Sequence, residues 1–172
     1  MATGFGPEGI VLLHILHEVA PQTTVFYLDT ELFFPETYQL KDNLETLFGM
    51  EFERVASTLS VAEQAGRFGP DLWERDPDHC CRLRKVLPLR EYLRDKKAWV
   101  TGIRREQTAQ RAIEWDAANG LVKINPLHHK GYPSIGCAPC TRPVTEGADP
   151  RSGRWVGRQK VECGIHMPEV SD

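Results

Sequence analysis

The placement of five cysteines constrains this chain more than any other feature. Cys80 and Cys81 are adjacent, Cys137 and Cys140 form a C-x-x-C, and Cys163 stands alone near the C-terminus. An odd count does not suit a disulfide scaffold. Two pairs plus one point instead to metal binding and thiol chemistry. If both pairs serve one centre, the fold must carry residue 80 and residue 140 to the same place. Zinc sites built from two pairs usually leave about two to four residues inside each pair. Cys137-Ala138-Pro139-Cys140 fits that spacing and Cys80-Cys81 does not. A vicinal pair does not easily fill two corners of a relaxed tetrahedron around one ion. It reaches two different irons of a cubane more readily. The pattern therefore favours a [4Fe-4S] cluster over zinc, with a set of buried, inert thiols as the remaining alternative. Ile135, Pro139 and Pro143 add apolar or rigid surroundings, and Gly136 lets the backbone come close.

The 172 residues suit one domain with a real core. Hydrophobic residues make up 41% and charged residues 26%, which excludes the low-hydrophobicity, high-charge pattern of disorder. No apolar run of about 18 residues is present, so no membrane span is expected. The opening residues lack the basic and apolar regions of a secretory signal, and the expected location is the cytoplasm. A net charge of -3 argues against a nucleic-acid partner.

Residues 10–19 carry apolar side chains at helical spacing. Ahead of them, Gly4-Phe5-Gly6-Pro7-Glu8-Gly9 is a glycine-containing loop that either exposes backbone N–H groups to an anion or forms a plain turn with an early helical proline. Residues 24–28 read as a buried strand, with Asp29 at its carboxyl end, where ligands lie in open α/β sheets. Helices are expected over 36–48, 60–66 and 83–95, and strands over 51–56, 98–101 and near Leu121–Ile124. The alternation predicts an α/β fold with a mostly parallel sheet flanked by helices. Residues 1–127 read as this α/β core, and 128–172, rich in proline, glycine and charge, as an irregular segment with a functional role.

Basic residues gather near the cysteines. Arg82, Arg84 and Lys85 follow the first pair, Arg104 and Arg105 follow a strand end, and Arg154, Arg158 and Lys160 precede Cys163. They read as solvated surface charge or as a set of donors for phosphate or sulfate oxygens. Positive charge also raises the thiolate fraction of a nearby cysteine. His166 is placed to orient that thiolate, or is simply exposed.

Several segments resemble the assimilatory adenylylsulfate/phosphoadenylylsulfate reductase family. They are Leu28-Asp29-Thr30 with Pro35-Glu36-Thr37, Cys80-Cys81-Arg82-Leu83-Arg84-Lys85, Thr101-Gly102-Ile103-Arg104-Arg105, Gly131 through Thr141, Gly153-Arg154-Trp155, and Lys160 through His166. The two cysteine pairs are similar to those of the iron–sulfur subclass, which prefers adenylylsulfate. The resemblance implies an adenine-nucleotide α-hydrolase-like fold. It makes Cys80, Cys81, Cys137 and Cys140 the cluster ligands. Gly4, Phe5 and Gly6 stand in an altered phosphate loop, and Asp29 near the adenosine. Lys85, Arg104 and Arg105 face the phosphosulfate or the cluster, and Arg154, Arg158 and Lys160 close over it. Cys163 is then the nucleophile and His166 its assistant, with thioredoxin or a similar dithiol protein as reductant. Two departures accompany the resemblance. The strand and helices that relatives carry before the loop are missing, which predicts an exposed gap in the sheet. Asn125-Pro126-Leu127 also runs straight into His128-His129-Lys130, where relatives have an intervening helical segment.

Overall fold

The computed structural model describes residues 1–102, 125–160 and 163. Two parallel strands, β1 (Phe26–Asp29) and β2 (Glu53–Ala56), pair in register from Phe26 opposite Glu53 to Asp29 opposite Ala56. On the far side of β1, the first residues of the chain take a strand position. Met1 accepts from the Phe26 N–H at 2.9 Å, Thr3 donates to the Phe26 carbonyl at 3.0 Å, and Ala2 donates to the Val100 carbonyl at 2.9 Å. The spatial order is thus Val100, Ala2, β1, β2. The expected gap beside β1 is filled by three residues, Met1–Thr3. The strand expected over 98–101 contributes only that single Val100 bond in the described part.

Helices cover both faces, as a parallel sheet requires. α1 (Pro7–Val19) and α2 (Pro35–Phe48) each begin with proline at the first turn, where a missing N–H costs nothing. They pack with Met1, Phe5, Val25, Tyr27 and Phe52 around Ile10, Leu13, Leu40, Leu44 and Phe48. The other face packs Phe26 and Val55 against Leu89. Alternate residues of one strand therefore enter two cores, which explains its unbroken apolar run.

α3 (Val61–Phe68) starts at a capping box between Ser60 and Glu63. Short α4 (Leu72–Arg75) leads into α5 (Pro77–Cys81), a π-helical turn over Arg82–Val86, and α6 (Leu87–Leu93). Leu87 N–H donates to the Arg82 carbonyl, five residues back. Pro88 supplies the reason for the wider turn. It has no N–H for the Arg84 carbonyl, and its ring would press on that group in a regular helix. Beyond residue 124 the described chain holds two 3₁₀ turns, Pro126–Lys130 and Ala138–Cys140. Among the described residues, no helix is long and apolar enough to cross a membrane.

Candidate active site

The two cysteine pairs meet. Cys80 and Cys81 end α5, Cys137 and Cys140 flank a 3₁₀ turn, and all four line one small cavity with Leu32, Trp73, Pro77, Arg84 and Lys85. The cavity sits beyond the carboxyl end of β1. There Cys137 Sγ lies 3.3 Å from Thr30 Oγ1, and Ala138 N–H donates to the Leu32 carbonyl at 2.7 Å. Gln64 Nε2 lies 3.8 Å from Cys80 Sγ. Burial pushes the Cys80 and Cys140 thiols up to about 11, reinforced by Cys81 for the first and Cys137 for the second. Burial also raises Cys81, against the opposing pull of Lys85 and Lys160. Burial makes Cys80, Cys81 and Cys140 costly to ionise unless a cation neutralises them.

Lys85 projects into this group. Burial pulls its ammonium down, but the charges of Cys137, Cys81 and Cys163 more than compensate, and its net displacement is upward. Cys163 is half-buried, and its charge acts on Cys81, Lys85 and Arg154. It therefore lies within electrostatic reach of the cavity formed by the pairs.

The basic segment is tied to the C-x-x-C loop by backbone bonds. Arg142 N–H donates to the Gly153 carbonyl at 2.8 Å and Trp155 N–H to the Cys140 carbonyl at 3.0 Å, with Thr141 bridged antiparallel to Arg154. Arg154 lies flat against Gly136, where an added Cβ would fall 2.2 Å from its guanidinium. Burial lowers the Arg154 guanidinium, with Cys137 opposing. Lys160 pairs with Asp78, its side chain 6% exposed. Arg158 is exposed and lines an outer cleft of about 230 Å³ with Trp73, Glu74, Arg142 and Trp155.

The loop residues divide. Gly4 is exposed and Gly6 precedes α1, whereas the Phe5 ring is buried 5.5 Å from Tyr27 and 6.1 Å from Phe52. The Phe5 N–H donates to Thr3 Oγ1 at 3.2 Å, so neither the ring nor the N–H of Phe5 is turned to a ligand. Asp29 is also enclosed: it accepts from Tyr38 Oη at 2.7 Å, Glu31 N–H at 2.8 Å and Arg54 Nε at 2.6 Å. Arg104, Arg105 and His166 lie outside the described residues.

Sequence reading passed over three structural residues. Arg84 donates to the Thr30 carbonyl at 2.5 Å, to Glu31 at 2.6 Å, and to Leu59 and Gln64, and so fastens the cysteine helix to the end of β1. Gln64 links that network to Cys80. Asn125 Nδ2 donates to Thr37 Oγ1 at 2.8 Å and attaches the second cysteine segment to α2. A buried role for Arg84 had one signal: its place four residues before a helical proline.

Comparison with known proteins identifies the family and the fold. The family model for the phosphoadenosine phosphosulfate reductase domain matches residues 1–115 and 117–143. The chain belongs to this family. It is 46% identical to an adenosine 5'-phosphosulfate reductase of Salinibacter ruber over 198 aligned positions, which cover 99% of this chain and 79% of that protein. It is 44% identical to a phosphoadenosine 5'-phosphosulfate reductase of Gloeobacter violaceus, covering 96% of this chain and 81% of that one. The crystal structure of a phosphoadenylyl-sulfate reductase from Candida auris shares the fold, with a TM-score of 0.70 at 23% identity over 80% of each chain. The expected α/β architecture of the adenine-nucleotide α-hydrolase type is thereby established, and the chain is an oxidoreductase acting on a sulfur group. Among the described residues, no three His, Cys, Asp or Glu side chains are grouped as ligands of a metal ion.

Proposed function

We propose that this protein reduces adenylylsulfate to sulfite and AMP with electrons from thioredoxin or a similar dithiol protein, through a thiosulfonate on Cys163. The observation that carries the reading is the cavity at the carboxyl end of β1 lined by the four paired thiols and Lys85, with Cys163 and Arg154 within electrostatic reach of it. The relatives with the first-named activity, at 41–46% identity, point the same way.

The donor set fits an iron–sulfur cluster: four thiols from two separate segments line one cavity, a number and kind of ligand that such a cluster takes. Cys80, Cys81, Cys137 and Cys140 would hold it, and when bound it supplies local charge and ties the two segments together. In the reaction the Cys163 thiolate attacks the sulfur of the phosphosulfate, and the sulfur–oxygen bond breaks with its electron pair going to AMP. Lys85 and Arg154 stabilise charge on the sulfonate and the leaving phosphate. A thiolate of the reductant then attacks Cys163 Sγ and sulfite leaves. The second thiol of the reductant resolves the mixed disulfide, which frees Cys163 and oxidises the reductant.

An alignment of 198 positions with a chain of 172 residues requires gaps in this chain. The expected setting is cytoplasmic sulfate assimilation.

Anaerobic mixing with adenylylsulfate tests the activity. Mass analysis should find one added sulfonate group on the Cys163 peptide, discharged as sulfite by reduced thioredoxin. Cys163→Ser should lose the adduct yet keep iron, labile sulfide and the brown chromophore. An adduct on another cysteine would overturn the role of Cys163, and iron-free anaerobic protein would overturn the cluster. The Gloeobacter relative keeps phosphoadenylylsulfate as a second reading. Competition between the two nucleotides for one enzyme pool decides it.

A further inference from the structure

Trp155 is used by none of the chemistry above. It is 5% exposed, yet its backbone φ is +49°, a region that bulky residues rarely adopt. Its indole Nε1 is buried without a hydrogen-bond partner among the described residues. The ring is accommodated at the expense of backbone strain. Around that ring stand three cations. Arg154 Cζ is 4.5 Å, Lys160 Nζ 5.5 Å and Arg151 Cζ 5.9 Å from the centroid. Lys160 is also held by Asp78, but mutual repulsion would still spread two arginines and a lysine apart. The negative face of an indole opposes this, and desolvation strengthens the attraction. The platform is also anchored, because Trp155 N–H donates to the Cys140 carbonyl at 3.0 Å. Arg154 keeps a buried Nε with no partner among the described residues, which leaves a spare donor on the patch.

We infer that Trp155 is a positioning residue of the sulfur-transfer site, whose indole gathers Arg151, Arg154 and Lys160 into one preformed cationic patch beside the Cys137–Cys140 loop and Cys163. The patch suits the multiply charged phosphosulfate of the substrate. This inference rests on the proposed function for its purpose, but not for its test.

The test is the alkylation of Cys163 by iodoacetate, an anion, and by iodoacetamide, which is neutral, in the full chain purified anaerobically with its iron content measured. Both reagents attack the same thiolate, so its ionised fraction cancels in the ratio of their rates. The ratio reports local potential. In the wild type it should exceed that of a free cysteine peptide. Trp155→Gly accepts the positive φ but removes the ring, and should lower the ratio by roughly three- to tenfold. Trp155→Phe, with a weaker face, should fall between. An unchanged ratio in Trp155→Gly at full iron content overturns the inference. Should the glycine variant not fold, Trp155→Phe and Trp155→Leu share the same backbone strain, and equal ratios in those two overturn it. The ratio needs no turnover. A wild type that failed to reduce adenylylsulfate would overturn the proposed function and leave this measurement standing.

Discussion

Arg84 and Glu31, 53 residues apart in sequence, meet at 2.6 Å between guanidinium and carboxylate, with the Arg84 side chain 1% exposed. The pair joins the helix that carries Cys80 and Cys81 to the loop that follows β1. It also decides what happens when either partner is lost. Arg84→Met takes the donor from the Thr30 and Leu59 carbonyls and from Gln64, while Glu31 keeps Arg54 at 3.0 Å, and should cost about 2–4 kcal/mol in urea unfolding. Glu31→Gln should cost less, because the amide oxygen still accepts from Arg84, which keeps its bonds to Thr30, Leu59 and Gln64. Iron retained after anaerobic purification should follow the same order. Equal losses from the two variants would contradict a one-sided dependence on the buried partner.

Asp29 gives a dependence on pH with a definite sign. Burial alone would raise its carboxyl, but donors from Arg54, Tyr38 and Glu31 outweigh burial and hold it below the ordinary value. An acid depressed in the native state stabilises the fold above its unfolded pKa, roughly 3.9. That contribution disappears as pH falls through the lower native value. Asp29→Asn should cost about 1–3 kcal/mol at neutral pH and flatten the acid limb of the stability curve. Urea midpoints for both proteins, measured across the acid range, check it. Parallel acid limbs would remove Asp29 from the account.

Much of this was legible in the chain, and what was not has physical reasons. α1 and α2 announce themselves by a proline at the first turn followed by a regular apolar face. β1 is readable because a strand buried on both faces must be apolar throughout. Met1–Thr3 was not readable as a strand, since three residues carry no period. Arg84 was hidden in a basic run that resembles surface charge. Its burial follows from carbonyl and carboxylate acceptors that converge only once β1 and the cysteine helix are packed. The cysteine pairs were the reverse case: their spacing demanded a meeting point that local pattern cannot locate. Phe5 shows the limit of motif reasoning, since a loop residue in a phosphate-loop position turned its ring into the core.

Asn125 tests whether the second cysteine segment depends on its attachment. The residue is 2% exposed, its Nδ2 bonds Thr37, and its Oδ1 accepts from the Leu127 N–H at 3.0 Å. Asn125→Ala leaves two buried polar groups unpaired and should cost about 2–4 kcal/mol. Asn125→Asp keeps the cap on Leu127 but removes the donor to Thr37, and should lie between. Thermal unfolding followed by circular dichroism orders the three proteins. A harmless alanine would mean that the segment is held by its other contacts, such as Ala138 N–H on the Leu32 carbonyl.

Two glycines separate a distortion of the site from a distortion of the fold. At Gly136 an added Cβ would meet the Arg154 guanidinium at 2.2 Å, the far end of a long side chain that can swing away. At Gly153 the same atom would meet the Arg142 carbonyl oxygen at 2.2 Å, backbone that is itself bonded into the cysteine loop. Gly136→Ala should therefore fold with a stability loss of about 1 kcal/mol or less. It should displace Arg154 and lower kcat/KM for adenylylsulfate about 10- to 100-fold, the range for loss of one charge-stabilising donor or its alignment. Gly153→Ala should instead lose the bridge between residues 140–142 and 153–155, with a stability loss of about 3 kcal/mol and loss of iron. Stability and single-turnover adduct formation on Cys163, measured for both, distinguish the two sites. If Gly136→Ala formed the adduct at the wild-type rate, Arg154 would have no part in the transfer of the sulfonate.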